Sequence, residues 1–128
     1  MASDQNAAAP EDDDKSALAI KELIRVLEAA VRAGVDSVEL EWEGQDLFAF
    51  QCLGHAAVGT APFPRELQGP VLEELVKRAG LGDKPRGKML VTLLGEKYEV
   101  PVKEYENFGE SAFVLKLKKP GKKNRPTR

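Results

Sequence analysis

The sequence predicts an α+β domain, an antiparallel sheet of about six strands in the order α-β-β-β-α-β-β-β with the helices packed on the sheet. Three observations carry that expectation. From Val38 to Glu43 apolar and acidic residues alternate, with Val38, Leu40 and Trp42 set against Glu39, Glu41 and Glu43. That is the period of a strand with one buried and one wet face. Two other stretches repeat their apolar residues every three or four positions, as amphipathic helices do. Short turns, Glu43-Gly44-Gln45-Asp46, Gly54-His55, Gly95-Glu96 and Glu106 to Gly109, separate the strand-like runs, and turns that short favour antiparallel pairing.

Length and composition narrow the class. The chain has 128 residues, enough for one core and too few for two. Its net charge of −2 offers no bulk attraction to nucleic acid, which is not an expected partner. A single cysteine forbids an internal disulfide and suits a reducing compartment. No apolar run approaches the roughly 20 residues that span a bilayer, so membrane insertion is not expected. The N-terminus lacks the basic leader and apolar segment of a secretion signal. The expectation is a soluble cytoplasmic protein.

Residues 1–15 are small, polar and acidic, and read as a disordered N-terminus. Its run Glu11-Asp12-Asp13-Asp14 would offset the positive end of a following helix, with Ser16 as a cap. The single α+β domain is expected over residues 16–118. Its first helix runs from about Ser16 to Ala33, with a stripe of Ile20, Leu23, Ile24, Leu27 and Val31, and stops at Gly34. Next comes the half-exposed strand around Leu40. Its hairpin partner, Leu47 to Leu53, is mostly apolar on both faces and reads as nearly all buried. A third short strand follows Gly54-His55. Pro62 and Pro64 bracket Phe63 in a connector, and a second helix is expected from Pro70 to Ala79, ended by Gly80 and Gly82. Lys88 to Leu94, apolar on both faces, Lys97 to Tyr105 and Ala112 to Leu117 supply three more strands. Pro101 favours an edge or a bulge in the second of these. The expected core joins Leu23, Ile24 and Leu27 to Trp42, Phe48, Phe50, Leu75, Val91, Val100, Phe113 and Leu115. Residues 119–128 read as a flexible basic tail.

No catalytic constellation emerges, so the chain is not read as an enzyme and no cofactor is expected. Gly82 to Lys88 has the spacing of a phosphate-binding loop. However, Met89 replaces the Ser or Thr that holds magnesium, and a helix precedes the loop where a strand should. It reads as a chance match. His55 is the only histidine, without ligands to join it in a metal site. Cys52 shares the parity of Phe48 and Phe50 and reads as a small buried apolar residue. What remains is a set of candidate interaction residues: the acidic row Glu39, Glu41 and Glu43, the connector residue Phe63, and the basic Lys116, Lys118 and Lys119. The row reads as a solvated strand face.

The order of these segments resembles the domain that precedes the motor in type II secretion and type IV pilus assembly ATPases. In that family a helix leads through Gly-Ala-Ser-Asp-Ile-His-Leu-Glu into an Arg-Phe-Arg-Ile-Asp-Gly strand. Gly34 to Glu41 and Ala49 to Gly54 sit at matching places. Pro85-Arg86-Gly87-Lys88 resembles the family's Pro-Gln-Asp-Gly-Arg turn, one residue shorter. Gly109-Glu110-Ser111 with Val114-Leu115-Lys116-Leu117 resembles its closing Gly-Glu-Lys-Val-Val-Leu-Arg strand, with one extra residue. The likeness spans about Ser16 to Lys118. The expected sheet with its helices is PAS-like, and the resemblance implies, as partner, a secretion or pilus ATPase. The family's strand arginines, which approach the motor's nucleotide, fall on Ala49 and Gln51, and its signature histidine falls on Glu39. No motor domain is expected to follow. The resemblance therefore implies a non-catalytic interaction module, an adaptor or regulator; the alternative is a small-molecule sensor, since a curved antiparallel sheet with helices can enclose a ligand, as PAS-like domains do.

Overall fold

Alternation and helical periodicity resolve into eight elements in the computed structural model, which describes residues 8–117. In chain order they are α1 (Ala8–Ala33), β1 (Ser37–Glu43), β2 (Asp46–Leu53), β3 (Ala56–Pro62), α2 (Arg65–Ala79), β4 (Arg86–Leu93), β5 (Glu96–Asn107) and β6 (Glu110–Lys116). The strands form one sheet in the order β3-β2-β1-β6-β5-β4. Every neighbouring pair is antiparallel. Two meanders, β1-β2-β3 and β4-β5-β6, thus meet where β1 pairs with β6, Leu40 standing opposite Phe113.

Both helices pack on the same face of that sheet. From α1 come Ala19, Leu23, Val26, Leu27 and Ala30, and from α2 come Leu67, Val71, Leu75 and Ala79. The strands answer with Val38, Leu40, Leu47, Ala49, Met89, Leu93, Val100, Val102, Phe113 and Leu115. Within each strand these residues share one parity, so they point the same way. Each large aliphatic side chain buried here stabilises the fold by about 1.5–3 kcal/mol before entropy is deducted. Ile24, Val31, Trp42 and Val91 lie partly buried against this core.

Several boundaries differ from the sequence reading. Helix α1 begins at Ala8, so Glu11 to Asp14 lie within it and Ser16 is not its cap. Instead, against the opposing effect of burial, Arg78 and then Ser16 hold the Glu74 carboxyl below its ordinary range. Helix α2 begins five residues before Pro70, with Pro64 at its N-cap. Its first turn is anchored by a side chain: the buried Gln68 amide donates to the Phe63 carbonyl at 2.8 Å and to Asp46 Oδ1 at 3.1 Å. Arg65 Nε also donates to Asp46, at 3.1 Å. Gln68 first and Arg65 second hold the Asp46 carboxyl below its ordinary range. Gly80 closes the helix in the left-handed conformation, φ 69°. The next amide, Leu81 N–H, then donates to the Val76 carbonyl at 3.0 Å.

Pro101 lies in β5, between β4 and β6 rather than on an edge strand. The β5–β6 register stops at Val102. The ring therefore sits where β5 has β4 as its only neighbour, locally an edge after all. Strand β4 is not apolar-buried on both faces, since Leu90 is 78 % exposed. The larger correction concerns β2. Phe48 and Phe50 are only half-buried and stand outside the core, because neither described helix covers their side of the sheet.

Candidate functional site

Register assigns the residues of the helix-free face. One row crosses the whole sheet as Arg86, Lys103, Val114, Glu39, Phe50 and Gly59. Toward one strand end the next row includes Pro101, then Lys116, Ser37 and Cys52. Toward the other end lie Tyr105 with Ala112, and Glu41 with Phe48. The Phe48 and Phe50 rings stand 6.4 Å apart and tilted at 39°. Phe50 lies over Gly59, where an added Cβ would meet its ring at 3.1 Å. A larger residue at 59 would lift the ring off the strand.

The acidic row is not simply solvated. Glu41 Oε2 accepts the Tyr105 hydroxyl at 2.6 Å, a bond that spans β6 above Ala112, itself only 1 % exposed. Burial, and then the bond to Glu41, push the Tyr105 hydroxyl well above its ordinary pKa. Glu39 is half-buried between Val114 and Phe50. Desolvation by those apolar neighbours, and next the charge of Glu41, raise its pKa. Glu43 is exposed at the strand end.

A raised carboxyl pKa fixes the sign of the pH dependence. Glu39 favours the fold below its unfolded pKa, and that contribution is lost as pH rises through the higher folded value. At pH 7 its charge is therefore a cost. Glu39→Gln is expected to raise the thermal midpoint at pH 7 by about 2–3 °C, the effect being reduced by solvent screening. Near pH 3.5 the two proteins should melt together. A gain that persists in acid would show that the charge of Glu39 is not its source.

The remaining sequence candidates fall elsewhere. Phe63 is 3 % exposed; its N–H donates to the Leu47 carbonyl at 3.0 Å, so it is a core residue and not a surface anchor. Lys116 is exposed on the helix-free face. Lys118 and Lys119 lie outside the described residues. His55 is exposed in the β2–β3 turn. Cys52 is 8 % exposed, and its thiol pKa is raised, first by burial and then by Glu39, the opposite of an activated nucleophile. Among the described residues no three His, Cys, Asp or Glu side chains converge as a metal site, and no helix is long and apolar enough to cross a membrane.

The phosphate-loop look-alike has a structural explanation. Helix α2 precedes it and β4 follows, so no helix N-terminus faces a ligand there. Met89 is a core residue, and Lys88 pairs with Glu99 at 2.6 Å. Gly87 is needed because the end of α2 lies on it: an added Cβ would collide with the Ala79 carbonyl.

Sequence reasoning missed Arg86, Lys103, Val114 and Tyr105 as members of this face. Arg86, Lys103 and Lys116 line a depression of about 450 Å³ floored by Pro101 and Val114. No local motif marks them. Only the β1–β6 pairing brings this meander beside Glu39 and Glu41. Compared with family models and with curated proteins, the chain matches none of them.

Proposed function

We propose that this chain is a non-catalytic protein-interaction module that docks through the helix-free face of its sheet. One observation carries the reading. Among the described residues, both helices cover one face of a six-stranded sheet, while the other face presents Phe48, Phe50, Val114 and Tyr105 among charged groups. A sheet face with aromatic and aliphatic side chains gains by being covered. The resemblance to the pre-motor domain of secretion and pilus ATPases supports an adaptor or regulator of such a machine. The absence of that family's strand arginines at Ala49 and Gln51 supports a role without nucleotide chemistry.

The test compares wild-type chain with the Phe48→Ser/Phe50→Ser variant in affinity capture and chemical cross-linking. Circular dichroism verifies that the variant is folded. The expected result is that contacts made by the wild type disappear in the folded variant. Contacts that survive both substitutions would move the interface off this face. A small molecule retained through purification and seen by native mass spectrometry would favour a sensor instead.

A further inference from the structure

The reading of the helix-free face as an interface leaves its occupant open, and the following rests on that reading. Apart from Lys88 and Glu99, which pair with each other on β4 and β5, and Glu110 at the start of β6, charge on the face is divided along the strand order. Arg86, Lys103 and Lys116 stand on the β4–β5–β6 side, and among the described residues none of them is in an ion pair. Glu39 and Glu41 stand on the β1 side, next to the aromatic strand β2. A surface divided in this way fits itself under one rotation. A two-fold axis parallel to the strands, between β1 and β6, turns a second copy face down and lays its β1 over β6 and its β2 over β5. Glu39 of each copy then comes beside Lys103 of the other, and the Phe50 ring covers the stem of that lysine. An axis across the strands would instead stack β1 on β1, carboxylate on carboxylate.

We infer that the helix-free face is closed by a second copy of this chain, in an aligned sheet-on-sheet dimer whose two-fold axis runs along the β1–β6 seam. The contact is isologous, as most closed homodimers are, and aligned packing is one of the two ways that sheets stack. Six strands about 4.8 Å apart and about 20 Å long offer roughly 600 Å² per copy. That is below the standard interface of about 800 Å² per partner. The dimer is accordingly a dissociable one, in the micromolar range.

Sedimentation equilibrium of the full chain, from low micromolar to near-millimolar concentration, tests it. The expected result is a monomer–dimer equilibrium that weakens as salt rises toward 1 M, where the screening length falls to about 3 Å. Glu39→Lys and Lys103→Glu should each weaken association by about 10-fold or more, since each sets like charges against each other twice per dimer. Mixing the two variants should restore it, because every facing pair is then of opposite sign. Lys103→Glu, at an exposed position, carries the test should Glu39→Lys fail to fold. A chain that stays monomeric throughout, or a dimer indifferent to salt and to every reversal, overturns the proposal. A monomer that loses another protein's contact in the Phe48→Ser/Phe50→Ser variant also overturns it, yet leaves the reading of the face as an interface standing.

Discussion

Leu40→Ala is expected to lower the free energy of unfolding by about 3–4 kcal/mol, whereas Phe50→Ala should cost about 1–2 kcal/mol although it removes more atoms. The two residues lie on neighbouring strands. Leu40 is 0 % exposed and lies between Ala49 and Phe113 in the register, beneath the helices, where the surroundings cannot close the space it leaves. Phe50 points to the helix-free face and is half-buried, so truncation exchanges partial cover for water and opens no cavity. Chemical denaturation at low protein concentration, which keeps association from adding to the apparent stability, separates the two cases. Equal losses would mean that the second face is covered within the single chain.

The second large effect is at Gly87. Gly87→Ala should destabilise the fold by about 2–3 kcal/mol. Its backbone is not the reason, because Gly87 has no positive φ. The obstacle is the Ala79 carbonyl, with Leu81 Cδ2 behind it at 3.2 Å. A carbonyl at a helix end cannot turn aside as a long side chain would, so α2 must shift off β4. Gly69, in α2, is a contrasting case: a Cβ there meets nothing within 4 Å beyond its chain neighbours, and only the ring of the following Pro70 opposes it. Gly69→Ala should therefore cost less than Gly87→Ala. The urea midpoint should fall further for Gly87→Ala than for Gly69→Ala. A tolerated Gly87→Ala would show that α2 and β4 do not approach as closely as described.

The fold was legible where a local period reports it. Val38 and Leu40 against Glu39 and Glu41 gave β1 and its buried face, and Leu23 with Leu27 gave the axis of the α1 stripe. Element order followed from short turns. Legibility failed where the answer depends on partners distant in the chain. Phe48 and Phe50 read as core because aromatic residues in a strand usually are, and nothing local says that both helices choose the other side. The start of α2 was misplaced because Pro70 mimics a first-turn proline, while the anchoring of Gln68 by Phe63 and Asp46 has no sequence pattern. Of the surface, Glu39, Glu41 and Lys116 were visible as charges. Their neighbours Arg86, Lys103 and Tyr105 were not, since strand order across the β1–β6 seam cannot be read from alternation. Phe63 was misjudged in the other direction: two prolines suggested an exposed loop, yet the ring fills the core.

That seam also governs the order of events in assembly. Each meander is knit from stretches adjacent in the chain and closes only small loops. The β1–β6 pairing is the long-range step, and topologies that depend on such a step fold slowly for their size. On a ribosome the first meander emerges well before Glu110 to Lys116 are made, and until then β1 has a bare edge in what will be the middle of the sheet. Bare edges recruit copies of themselves. Glu39, Glu41 and Glu43 place a carboxylate at every second position of that waiting strand, and two such strands side by side repel each other. The acidic row thereby protects the nascent chain during the interval before its own last strand arrives.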